Sequence, residues 1–268
     1  MCASTNDTKK SMSKPVPINS SNALEFLAFV IVLSKDLSER DDSNLLSLET
    51  KLKDDLPNFS QNYEVETKIE NGQITSQNTK KSGITLQVLN QSNAKPTWIL
   101  SVNKNQIVVQ CLDYDSWKNT CSKATKFIKA VIDVLDYSSA ASSLSIQCVD
   151  KFIQSSDGDY SQFDLFAKDT KYLTPNSSEI GKLWHIHQGW FKQIQNGSKI
   201  LNVLNIGTLE KESNLTTTID HVSQHFFLEP ILLSDSEGCF KIFDELYDNN
   251  KNIIQELLKK EQLKAIGI

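Results

Sequence analysis

Arginine is all but missing from this chain: Arg40 stands alone among its 28 lysine and arginine residues. Base-edge reading and bidentate phosphate clamping favour the planar guanidinium fork. With a formal charge of −5 and a pI near 5.5, the chain also lacks the basic footprint of a nucleic-acid binder. Glycine is scarce, at nine residues, and neither a Gly-x-x-x-x-Gly-Lys loop nor a Gly-x-Gly-x-x-Gly turn occurs, so no backbone nest for a nucleotide is written into the sequence. No Gly-x-Ser-x-Gly element marks a hydrolase nucleophile. The five cysteines, Cys2, Cys111, Cys121, Cys148 and Cys239, show no Cys-x-x-Cys spacing, which argues against a four-cysteine zinc site and for reduced thiols in a cytoplasmic setting. A long hydrophobic run is missing as well. The most apolar stretch, Leu24–Leu33, is half the length a bilayer-spanning helix needs, about 20 residues. The first fifteen residues hold no apolar core behind their lysines, so no secretory leader is expected.

What is present is an alternation of strand and helix patterns. Residues 1–20 carry few large apolar groups and are expected to form a disordered tail. Leu24–Leu33, β-branched and aromatic, reads as a strand buried on both faces. Asp41 to Asn44 offer N-caps for a helix over 45–56, with Leu45, Leu48, Leu52 and Leu56 on one stripe before Pro57. Strands are expected at Tyr63–Ile69 and Ile84–Leu89, the first closed by an Asn71-Gly72 turn and the two separated by a polar stretch over 73–82. A hairpin follows at 96–102 and 106–112, then a long helix over 116–135 and a strand over 144–153. Beyond a polar region, 154–178, three strands at 182–193, 200–210 and 215–228, with turns at Asn196-Gly197 and Glu212–Asn214, form a meander. A helix over 237–263, with cap options at Ser234, Asp235 and Ser236, ends the chain.

The fold class that follows is α+β, with mainly antiparallel sheets in two halves, 21–155 and 156–268, each covered by helices and packed on one another. No repeat of fixed period is visible.

Three segments carry a likeness to a known family. These are the apolar strand with its short helix ending in Leu56-Pro57, the Trp98 hairpin running into Leu112-Asp113-Tyr114-Asp115-Ser116-Trp117, and the terminal Phe243-Asp244-Glu245-Leu246-Tyr247-Asp248 helix. Together they resemble a sporadically distributed, uncharacterised bacterial and archaeal family of slightly shorter chains. Gln147-Cys148-Val149-Asp150 departs from that family's Arg-Tyr-x-Asn-like element, which removes an arginine-anchored polar network from the expectation. The resemblance implies the architecture and no activity; a patchy occurrence implies an accessory role such as immunity, antitoxin or defence.

The chemistry-bearing residues are few. His185 and His187 share one strand, and His221 and His225 another, so each pair can face one way and a meander can bring the pairs together. Four imidazoles with Asp220 or Glu229 suit zinc, iron or copper. The same histidines interleave with Trp184, Trp190, Phe226 and Phe227, which is equally the pattern of plain amphipathic strands. Cys239, at a helix start, is a candidate activated thiol, while Cys111 and Cys148 read as core. Asp113 and Asp115 read as caps, and Asp157-Gly158-Asp159 lacks the ligand series of a calcium loop. Three functional readings result. The first is a non-enzymatic protein that binds a protein partner, with self-association also open and no membrane involved. The second is a metal-binding protein or metal-dependent enzyme using His185, His187, His221 and His225. The third is a ligand module with an apolar pocket between the sheet and the long helix over 116–135.

Overall fold

The computed structural model describes residues 14–268 except 71, 136–138, 158–159, 195–196 and 235. Cys2, most of the expected tail, Asn71, Gly158, Asp159, Asn196 and the cap candidate Asp235 lie outside the described residues. The tail expected to run through residue 20 already contains a strand, β1 (Val16–Pro17), paired with Ile153 and Phe152. The apolar run becomes β2 (Leu24–Leu33). The leucine stripe after it is helical but split into α1 (Glu39–Leu45) and α2 (Leu48–Lys51), both short, and Leu45, Leu48, Leu52 and Leu56 are all buried. The cap is Ser38, three residues ahead of the expected Asp41, in a reciprocal box in which Asp41 accepts from the Ser38 backbone N–H at 3.0 Å.

Next come β3 (Asn58–Glu70), β4 (Gln73–Leu89), β5 (Pro96–Asn103) and β6 (Gln106–Cys111). The polar stretch over 73–82, expected as a separator, is strand throughout and continues β4. It pairs with β3 alone, since β4 meets β5 only from Gly83 to Leu89. The two strands therefore leave the sheet as a two-stranded arm, exposed along 73–80. Gly83 stands at its root with φ +149°, where an added Cβ would lie 2.0 Å from the Val102 carbonyl oxygen. Beside it Asn62 donates to Asn103 Oδ1 (2.7 Å) and Thr85 Oγ1 (3.0 Å).

Helix α3 (Trp117–Ile132) starts at a Ser116 cap that accepts from the Asn119 N–H, and β7 (Ala140–Ser155) follows. The meander is β8 (Trp184–Gln193), β9 (Lys199–Lys211) and β10 (Asn214–Leu232). The terminal helix is interrupted: α4 (Ser236–Leu257) and α5 (Lys260–Ala265) are parted where Leu258 forms a strand-like bridge with Phe166.

All strand pairs are antiparallel and the order is β3-β4-β5-β6-β2-β7-β10-β9-β8, with β1 on the end of β7, in a single ten-stranded sheet. This corrects the expectation of two sheets in two halves. The physical reason is the β7–β10 ladder, which runs from Ser155↔Asn214 to Ala140↔Leu232 and joins the meander to the earlier strands. The helices pack on one face. There α3 sits over β6, α4 over β7 and β10, and the leucines of α1 and α2 join the same buried cluster as Phe29, Leu100 and Phe127. On the other face Val30, Val32, Val108, Val203 and Val222 are half-exposed, so β2 is covered on one side rather than two.

Candidate functional site

Register decides where the histidines go. Residues directly opposite in an antiparallel pair share a face, and a change of parity turns a strand's pattern over. In β8–β9, odd-numbered residues face odd ones, with His185 opposite Gly207 and His187 opposite Asn205. In β9–β10 odd residues face even ones, with Asn205 opposite Asp220 and Leu204 opposite His221. His185 and His187 therefore lie on the open face, exposed, while His221 and His225 lie under the helices. The four-imidazole centre expected from the sequence is not assembled, and no group of three or more His, Cys, Asp or Glu positioned for a metal ion exists among the described residues. On the open face His187 is hydrogen-bonded to Asn205, which donates to Asp220 (3.4 Å), and Gln147 donates to the same carboxylate (2.8 Å).

The covered face changes character as it crosses the sheet. One continuous row of opposed residues reads Leu86, Leu100, Val109, Phe29, Ile146, Ser223, Asn202, Trp190. It is apolar from β4 to β7 and polar at β10 and β9, where α4 supplies the matching groups. Asn250, on the α4 face expected to be apolar, donates to His221 Nδ1 (2.9 Å). That places the imidazole proton on Nε2, which donates to Asn202 Oδ1 (3.1 Å). Asn249 donates to Asn202 Oδ1 (2.6 Å) and to Ser223 Oγ (3.0 Å). The network carries no charge, and burial holds the His221 imidazole down to about 4, well below its ordinary 6.5.

Cys148 lies directly opposite His221, and Asp150 is its diagonal neighbour on the same face. Cysteine, histidine and aspartate thus share one patch, the residue types of a nucleophilic triad. The hydrogen bonds deny that chemistry: both ring nitrogens of His221 go to carboxamides, and burial drives the Cys148 thiol well above 9.0. Asp150 is raised by burial to about 7 from an ordinary 3.8. Cys239 is fully buried, which removes the exposure an active thiol requires. His225 is also buried, beside Phe227 at 4.7 Å between ring centroids, and neither of its ring nitrogens has a hydrogen-bond partner. A second polar rung ties α3 to α4. Trp117 stacks on Tyr247 at 3.9 Å and donates to Asp244 (2.9 Å), and the Tyr247 and Tyr114 hydroxyls meet at 2.9 Å.

The space beneath α3, where the sequence placed an apolar pocket, is filled by Phe127, Ile128 and Val131, each at most 1% exposed. Open space lies outside that core, in a groove between α2 and α3 and in clefts along α4. A cleft of about 430 Å³ runs between α4 and the β8–β9 side of the sheet, lined by the buried Asn202, the half-buried Asn249, Trp190 and Tyr172. Trp190 stacks with Tyr172 (5.5 Å between ring centroids) and with His221 (6.5 Å). The clue in the sequence was a polar interruption, Asn249-Asn250, in an otherwise apolar helix stripe.

No family model, no curated protein and no solved structure matches this chain. The family resemblance therefore rests on the three segments quoted for it.

Proposed function

We propose that the protein is a non-enzymatic accessory protein that works by docking a protein partner, in the manner of immunity, antitoxin or defence components. The observation that carries this reading is the β3–β4 arm. From Tyr63 to the turn and back to Lys81 it is bound to the rest of the chain by few contacts, and Tyr63, Val65 and Ile74 are exposed at 59%, 55% and 65%. A two-stranded ribbon is marginal in water without a third strand or a packed face. Its outer strand, β3, ends the sheet order and has a strand neighbour on one side only. An extended segment of a partner adds there by main-chain hydrogen bonds, with alternate side chains of the arm setting specificity.

The test replaces 63–81 by a two-residue Asn-Gly turn. The shortened chain should fold with an unchanged melting temperature, because the arm contributes little to either buried cluster. A partner that co-purifies with the full chain from its native host should be lost with the arm and should slow amide exchange across 62–82 when bound. Retention of the same partner by the shortened chain would overturn the proposal.

A further inference from the structure

We infer that the open face of the sheet is the interface of a homodimer, packed on the same face of a second copy about a two-fold axis along the β2–β7 boundary. An antiparallel sheet with one wet face ordinarily alternates apolar-in with polar-out. The centre of this wet face departs from that rule. Phe26, Val30 and Val32 on β2 continue into Val108 on β6, and Val222 and Val203 stand beyond β7 on β10 and β9, all half-exposed. Charge is withheld from the same area. In a chain that is 23% charged, Asp220 is the one charged residue in the spans 26–32, 106–111, 143–149, 220–226 and 200–206 that cross it. Depletion of charge at the centre of a patch marks an interface rather than a solvated surface.

The relief of the face points to a second copy as the occupant. Opposed residues on β2 and β7 set a tall side chain beside a short one: Val32 with Ser143, Val30 with Ser145, and Gln147 with Ala28. Ala28, Ser143 and Ser145 are 2%, 2% and 7% exposed because taller neighbours flank them. A two-fold axis in the plane of the interface, parallel to the strands and between β2 and β7, exchanges the members of each pair. Val30 of one copy then meets Ser145 of the other, Val32 meets Ser143 and Gln147 meets Ala28. Tall thus faces short at every step, the self-complementarity that an isologous contact demands. The same operation lays β10 on β6, β9 on β5 and β8 on β4. With strands about 4.8 Å apart and about six residues of about 3.4 Å along each, the overlap covers about 800 Å² on each copy, the size of a standard stable interface. Strand β3 lies outside that overlap, so this contact and the docking of a partner on the arm are independent.

Sedimentation of the full chain at about 1–100 µM tests this and should show a reversible dimer of twice the 30.2 kDa chain mass. Val30→Asp and Ser145→Lys each place a charge in the interface twice over, and each alone should weaken the dimer about a hundredfold. Mixed in equal amounts, the two variants should recover it, because the two-fold sets the new carboxylate of one copy against the new ammonium of the other. Val30→Thr keeps a β-branched side chain, so its far-UV circular dichroism should be unchanged, while its hydroxyl should weaken the dimer about tenfold. The chain with 63–81 replaced by an Asn-Gly turn should dimerise as the full chain does. A monomer throughout the concentration range, a dimer indifferent to Val30→Asp and Val30→Thr, folded charge variants that stay monomeric when mixed, or a dimer lost with the arm would overturn the assignment.

Discussion

Replacing Asp150 with asparagine removes a titration that works against a second one two residues away across the ladder. In the unfolded chain an aspartate titrates near 3.8; in the fold Asp150 does so at about 7, because burial penalises the carboxylate. Between those values the native state holds a proton that the unfolded state has released, so stability falls as pH rises. At about 1.4 kcal/mol per unit, the cost at pH 8 is about 4 kcal/mol. His221 runs the other way. Its native value, about 4, lies below the ordinary 6.5, so between these the unfolded state holds the extra proton and stability rises with pH, by about 3 kcal/mol in all. The two slopes cancel from about pH 4 to 6.5 and leave the wild type flat there as far as these groups are concerned. Asp150→Asn unmasks the histidine. The variant should match the wild type near pH 4, gain steadily above it, and exceed it by about 4 kcal/mol at pH 8. Urea unfolding at pH 4.5, 6 and 8, with m-values compared to hold the unfolded state fixed, reads this directly. A difference between the two proteins that is the same at all three pH values, or a variant less stable at pH 8, would refute the reasoning.

Two further outcomes follow from named contacts. Gly83→Ala puts a side chain into a positive-φ position and into the Val102 carbonyl, and should lower stability by about 1–3 kcal/mol or more in thermal unfolding, with loss of protection first at the root of the arm. Asn250→Ala leaves His221 Nδ1 buried without its donor and should cost about 1–3 kcal/mol in denaturant unfolding, whereas His221→Leu combined with it should recover part of that loss.

Elements with a one-sided apolar rhythm were legible in the sequence: the Trp98 hairpin, α3 and the three strands of the meander stand where the pattern puts them, and β2 stands where its apolar run puts it, although that run suggested two buried faces and only one is covered. Three features were not. The arm over 73–82 reads as loop because neither of its faces is buried, and strand periodicity is a signal of burial. The single sheet was hidden because the choice of partner for β7 is a long-range matter that local pattern does not encode. The histidine faces depended on one parity change in the β9–β10 register, invisible in spacing alone. The break at Leu258 was missed for a related reason: the residues around it are good helix formers, and the interruption comes from backbone bonds with Leu165 and Ala167.

Strand β2 sits at the middle of the sheet, yet its neighbours lie far along the chain, β6 from Gln106 and β7 out to Ser155. During synthesis at about 5–20 residues per second, the run Leu24–Leu33 leaves the ribosome on the order of ten seconds before β7 is complete. Until β6 emerges, about seventy residues later, this apolar run has no strand to pair with, and its second partner β7 comes later still, so the closing of a long loop must precede any gain from the central ladder. The order in which the strands are made thus exposes the apolar centre of the sheet first and seals it late, which makes the nascent chain a natural client for a chaperone that holds short hydrophobic strands.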